Sequence, residues 1–262
     1  MLVDTANSSQ NSAQNLPAQG GDLVKRHSVG TRLWHWINVL TMAIMVMSGL
    51  MILNAHPRLY WGQFGANPDQ PWLVLGRIGQ NNFPGWLTLP AGYSLADARL
   101  WHLSFAWVLV LGLTFYLLYT LISGHLRRDL AIALRELTPT ELWHEIRDHA
   151  RLRFPTGAAA LRYNLLQRLA YGGVLFVLLP LVILTGLTMS PGMDAALPWL
   201  VDLFGGRQSA RSLHFIAMAG LVGFVIVHLL MVVLAGPINE VRSMITGWYR
   251  LPQDRAEERD DG

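Results

Sequence analysis

Four long stretches of the chain carry no Asp, Glu, Lys or Arg: 34–53, 100–122, 169–189 and 213–235. They are 20, 23, 21 and 23 residues long. A helix rises about 1.5 Å per residue, so about 20 apolar residues cross a hydrocarbon core roughly 30 Å thick. The pattern predicts an all-α integral membrane protein: a four-transmembrane-helix bundle with helices at about 34–53, 100–122, 169–189 and 213–235. Buried helices of a soluble protein rarely give four uncharged windows of this length.

The polar segments divide the rest. Residues 1–24 are rich in Asn, Gln, Ser and Gly and read as a disordered tail. They hold no apolar core of a signal peptide, so the first window is expected to be retained as an anchor. Residues 54–99 form a long loop rich in Gly, Pro and Trp, and a loop of that length usually has a job. Its Trp61, Trp72 and Trp86 suit either the headgroup belt or a docking face. In "YSLADARLWH", Ser94 can cap the second helix, with Asp97 reciprocating. In "TPTELWHEIRDHARLR", Thr138, Pro139 and Glu141 start an amphipathic helix on the membrane surface. Its His144 and His149 read as solvated. The third window has Gly172, Gly173, Pro180 and Gly186 but no His, which assigns it to packing. The membrane domain is placed at 25–250 and a second disordered tail at 251–262.

Charge sets the orientation. Of the 20 Lys and Arg, 15 fall on the side of the two tails and the loop between helices two and three, and 5 on the other. The positive-inside rule puts both termini in the cytoplasm. The basic balance, with a pI near 9.5, then faces anionic lipid and needs no nucleic acid. The absence of Cys removes disulfides, thiolate metal sites and covalent haem attachment together.

Inside the windows sit four histidines: His35, His102, His214 and His228. An ionisable group in a membrane is costly and points to function. His214 and His228 are 14 residues apart on one helix. That spacing is about 21 Å and nearly four turns, so both face the same way at opposite depths. Helix one runs outward and helices two and four run inward. Depth therefore pairs His35 with His228 near the cytoplasm, and His102 with His214 near the outer surface. Two imidazoles facing across a gap suit the axial positions of six-coordinate haem iron. Two non-covalent b haems are expected. Gly49, 14 residues after His35, and Gly220 and Gly223, between the ligands of helix four, suit the approach of a large macrocycle.

The motif RLWH occurs at Arg32–His35 and Arg99–His102, and RSLH at Arg211–His214. Arg three residues before His shares its face, one turn nearer the surface. Arg32, Arg99 and Arg211 either bond haem propionates or mark helix ends. Zinc hydrolysis is disfavoured, since there is no HExxH and no close ligand set. An ion pathway would bring intramembrane carboxylates, and the windows contain none.

With RLWHW on helix one, RLWH on helix two and the His214/His228 spacing on helix four, the chain resembles the bacterial cytochrome b561 / Ni,Fe-hydrogenase cytochrome b superfamily. Within it, "MVVLAGPINEVRSMITGWY" (Met231 to Tyr249) is similar to the tail of thiosulfate-reductase-type cytochrome b subunits. The resemblance covers about residues 25–250. It implies a di-haem subunit of the bacterial inner membrane, with His35, His102, His214 and His228 as the iron ligands. Such a subunit exchanges electrons between the quinone pool and a periplasmic partner, a molybdopterin oxidoreductase or a hydrogenase. The long outer loop favours such a partner. A self-contained quinone-coupled enzyme, such as a superoxide oxidase, is the alternative. For the quinone, His125, Arg127 and Asn239 lie near the inner interface, each with an ordinary helix-end explanation.

Overall fold

Each uncharged window lies within a longer helix in the computed structural model, which describes residues 21–66, 68–78, 80–124, 132, 136–151 and 163–252. Helix α1 spans Val29–Ala55, α2 Leu95–Ile122, α4 Leu165–Met189 and α7 Arg207–Ala235. All four are long and apolar enough to cross a membrane. The windows start just after a charge, whereas the helices begin four to six residues earlier, where a cap starts them. Ser28 accepts the Thr31 N–H at the start of α1, and Ser94 accepts the Asp97 N–H at the start of α2. The shorter helices are α3 (Pro139–Ala150), α5 (Pro191–Ala196), α6 (Trp199–Leu203) and α8 (Pro237–Thr246). The Glu141 N–H bonds Thr138 Oγ1 at the start of α3, the cap its sequence calls for.

The chain folds as two units. The larger contains 33–131 and 169–230. Its buried cluster joins Leu109 and Leu113 of α2, Leu175, Leu179 and Val182 of α4, and Ala217 and Leu221 of α7. Trp34 and Met42 of α1 pack against that cluster. The opposite faces are apolar and exposed: Leu103, Trp107, Leu111 and Phe115 line α2 at four-residue spacing. In lipid, such surfaces need no burial, and close packing holds the helices together. Within α4, Val174–Leu178 is a π-helical turn. Pro180, just beyond it, has no N–H for the carbonyl four residues back, and the wider turn absorbs the break.

In the same unit the segment between α1 and α2 is an ordered structure. Strands β2 (Arg58–Leu59) and β3 (Leu73–Val74) pair antiparallel. The Gly62 carbonyl accepts the N–H groups of Gln208 and Ser209, two of the orphan donors in the first turn of α7. The Gln63 side chain accepts the Arg207 N–H. Gly206 has φ +110°, and a Cβ there would stand 2.6 Å from the Gln63 nitrogen, so only glycine allows this approach. Trp72 Nε1 donates to Ser212 Oγ at 2.9 Å, and the Asn82 N–H bonds the buried Asn54 side chain of α1.

The smaller unit contains 1–32, 132–168 and 231–262. Strand β1 (Leu23–Lys25) pairs with β4 (Trp248–Arg250). The expected disordered tail over 1–24 therefore overlaps a strand at its end, and Leu251, at the start of the expected 251–262 tail, is buried. Residues 1–20 and 253–262 lie outside the described residues. Arg26 pairs with Glu240 at 3.3 Å and lies over the Tyr249 ring at 4.4 Å. Arg168 pairs with Glu136.

Candidate functional site: two histidine pairs in the helix bundle

The larger unit brings the four intramembrane histidines together two by two. His102 of α2 faces His214 of α7 with ring centres 6.2 Å apart and planes at 59°. His35 of α1 faces His228 of α7 at 6.3 Å and 60°. These are the pairs that helix direction predicts. Among the described residues, no three His, Cys, Asp or Glu gather as a metal site. Each pair thus offers two protein ligands and no more.

The loop-end pair is held on both rings by a hydroxyl. Ser48 Oγ of α1 lies 3.0 Å from His102 Nδ1. Thr185 Oγ1 of α4 lies 3.1 Å from His214 Nδ1. The next residue in each case is glycine. A Cβ on Gly49 would stand 3.4 Å from His102 Cε1, and a Cβ on Gly186 would stand 3.4 Å from His214 Cε1. Sequence reasoning named Gly49, assigned Gly186 with the rest of the third window to packing, and passed over Ser48 and Thr185. A hydroxyl followed by glycine, on two helices at the depth of one histidine pair, was the available signal.

The other pair sits among aromatic rings. Phe224 stacks on His228 at 5.9 Å, Tyr171 meets Phe224 edge to face, and Trp36 meets His35 edge to face. Among the described residues, the buried His35 Nδ1 has no hydrogen-bond partner. A Cβ on Gly220 would touch Leu178 at 3.4 Å, whereas one on Gly223 would meet nothing within 4 Å.

The spacing fits one iron per pair. A metal–imidazole bond of about 2.0–2.1 Å, with roughly 1.1 Å more to the ring centre, sets trans imidazoles about 6.2–6.4 Å apart. Both pairs lie in that range. With only two side-chain ligands, a bare zinc ion would lack its usual three or four. A macrocycle that supplies its own nitrogen ligands, as haem does, would fit this donor set.

The three arginines of the RxxH repeats differ in setting. Arg99 is exposed. Arg211 donates to the carbonyls of Arg58, at 3.2 Å, and His56. Arg32 Nη1 donates to the Ile245 carbonyl at 2.7 Å. Of the residues considered for a quinone, His125 and Arg127 lie outside the described residues. The Asn239 amide is engaged: it donates to the Arg250 carbonyl and accepts from Arg242 and the Arg250 N–H. His144 is exposed, and the side chain of His149 lies outside the described residues.

His56, just past α1, stacks on Tyr60. Burial and then the charges of Arg211 and Arg58 push its pKa below the ordinary 6.5. The sign follows from linkage. The unfolded chain takes a proton near pH 6.5 that folded His56 refuses, so its contribution is present above 6.5 and is lost as pH falls through the lower folded value. The loop is expected to loosen on acidification from pH 7 towards 5, and His56→Gln to flatten that dependence. Limited proteolysis across this pH range measures it; an unaltered profile in the variant would assign the acid sensitivity elsewhere.

The family described as prokaryotic cytochrome b561 matches residues 26–247. A protein of Azospira oryzae named as a putative protein-methionine-sulfoxide reductase subunit, YedZ1, is 31% identical over 214 residues, covering 79% of this chain and 90% of that protein. A protein of Azotobacter vinelandii named as a probable Ni/Fe-hydrogenase B-type cytochrome subunit is 25% identical over 237 residues, 86% of this chain and 87% of its own. A protein of Cupriavidus necator with the same description is 24% identical over 236 residues, 85% of each chain.

Proposed function

The chain belongs to the prokaryotic cytochrome b561 family, and on that footing we propose that it is a di-haem b subunit carrying electrons across the bacterial inner membrane. Its relatives make it a cytochrome b electron-transfer subunit of the membrane. The finer reading gives His35 and His228 one haem and His102 and His214 the other. The observation that carries it is the presence of two histidine pairs at one-iron spacing, each with two side-chain ligands and, among the described residues, no third.

Haem, when bound, would supply reversible one-electron exchange, and His35 with His228 and His102 with His214 would hold it. The chain's own residues bind and orient it. Helix α7 gives one histidine to each site, which fixes the two sites about 21 Å apart along a single rigid rod. Exposed Arg99 and the Arg211 guanidinium, one turn beyond His102 and His214, suit the propionates of the outer haem; Arg32 stands in the same relation to His35. Gly49, Gly220 and Gly223 leave room beside the macrocycles.

Both termini face the cytoplasm, and α3 lies on that surface. The quinone pool exchanges electrons with the chain. The partner is a periplasmic redox subunit of the molybdopterin oxidoreductase class, received by the loop between α1 and α2. Exposed Trp61, Phe64 and Trp86 on that loop support a docking role.

Purified chain is expected to contain two haems, all extractable into acidified solvent because no Cys anchors them. Pyridine haemochrome assay of the extract and the residue measures both. One haem per chain, or haem left on the denatured protein, is incompatible with the proposal.

A further inference from the structure

Ser48 and Thr185 stand on different helices and make the same arrangement. Each hydroxyl has one proton to give. Ser48 donates to the Ile44 carbonyl at 2.6 Å, and Thr185 to the Leu181 carbonyl at 2.6 Å, in both cases the carbonyl four residues back. With the proton committed, each oxygen meets the imidazole as an acceptor. His102 and His214 must then carry their hydrogen on Nδ1, which leaves the lone pair on Nε2. The glycine that follows each hydroxyl faces the same ring edge: a Cβ there would stand 3.4 Å from Cε1. The ring is thus set by a hydrogen bond at Nδ1 and by a glycine position whose side-chain space it adjoins.

We propose that Ser48–Gly49 and Thr185–Gly186 are positioning pairs that fix the tautomer and rotation of the two outer imidazoles and strengthen them as electron donors to iron. The inference rests on the haem reading above. An Nδ1–H···O bond raises the basicity of Nε2 and so favours ferric over ferrous iron. The outer haem, seated on two such bonds, is held more reducing than its bare ligand set would make it. Among the described residues, His35 has no such bond at its buried Nδ1. The third span, which supplies no ligand, thus acts on the outer site through Thr185.

The test uses the full chain, purified with haem bound, carrying Ser48→Ala, Thr185→Ala, Ser48→Thr or Thr185→Ser. Potentiometric titration and low-temperature EPR of the ferric haems are the readouts. Each alanine variant is expected to shift the outer component's equilibrium towards the reduced form by up to about tenfold, which is 59 mV for one electron. Its low-spin EPR signal should broaden as the ring is freed, while the inner component stays in place. The hydroxyl-retaining variants should keep the parent values. Should an alanine variant shed the outer haem, its retention by the matching Thr or Ser variant supports the same conclusion. Unchanged potentials and signals in both alanine variants overturn the proposal, as does failure of the hydroxyl-retaining variants to restore them. If the unsubstituted chain binds no haem, the fault lies with the haem reading itself.

Discussion

His228→Ala is expected to remove the same haem as His35→Ala, and His214→Ala the same haem as His102→Ala. Each variant should fall from two haems per chain to about one. The reason is geometric: each ring has one partner at one-iron distance, 6.3 Å for His35 and His228 and 6.2 Å for His102 and His214. With one imidazole gone, the remaining one holds the iron from one face only. Redox-resolved spectra of the four variants measure the pattern. The pairing would be disproved if the His35 and His102 variants lost the same spectral component. The variants are also separable by depth: any probe of the loop end should sense the His102 and His214 pair alone.

A large effect is also expected from bulk placed where backbone meets a ligand ring. A Cβ on Gly49 or Gly186 would stand at 3.4 Å from an imidazole carbon, tight but tolerable if the ring yields slightly. Alanine there should cost little. Leucine adds branches directed into the seat, and overpacking of this kind costs about 1–3 kcal/mol. At 1.4 kcal/mol per tenfold, that is roughly 5- to 150-fold in outer-haem affinity. Gly49→Leu and Gly186→Leu should therefore lose the outer haem on dilution, while Gly172→Leu, where a Cβ meets nothing within 4 Å, should keep both. Haem-to-protein ratio after gel filtration gives the comparison. Equal retention in all three would mean that the rings are not seated on these glycines.

The four spans were legible because an uncharged run of bilayer length is a strong pattern. The pairing was legible because helix direction converts sequence position into depth. Helix ends were less so: α7 begins at Arg207, well before its window, because the Gly62 carbonyl and Gln63 side chain cap it from a distant loop. No local pattern encodes such a cap. Ser48 and Thr185 escaped for a different reason. Hydroxyl residues in membrane helices commonly bond their own backbone, as these two also do. Only the fold brings a ring nitrogen to the other side of the same oxygen. The third span likewise read as mere packing until Thr185 and Gly186 were placed against His214.

Helix α7 carries one histidine of each pair and is the last of the four spans to be made. Under the proposed ligation this has a consequence for biogenesis. While the ribosome is still delivering the first three spans, His35 and His102 are already in the membrane, and neither has a counterpart. Arrival of α7 completes both coordination sets at once, and each iron then ties an early segment of the chain to the latest one. Closing so long a loop carries an entropic cost that the metal bonds must offset. Haem supply would thus act late in maturation: until it binds, α1 and α2 would be joined to α7 by packing alone.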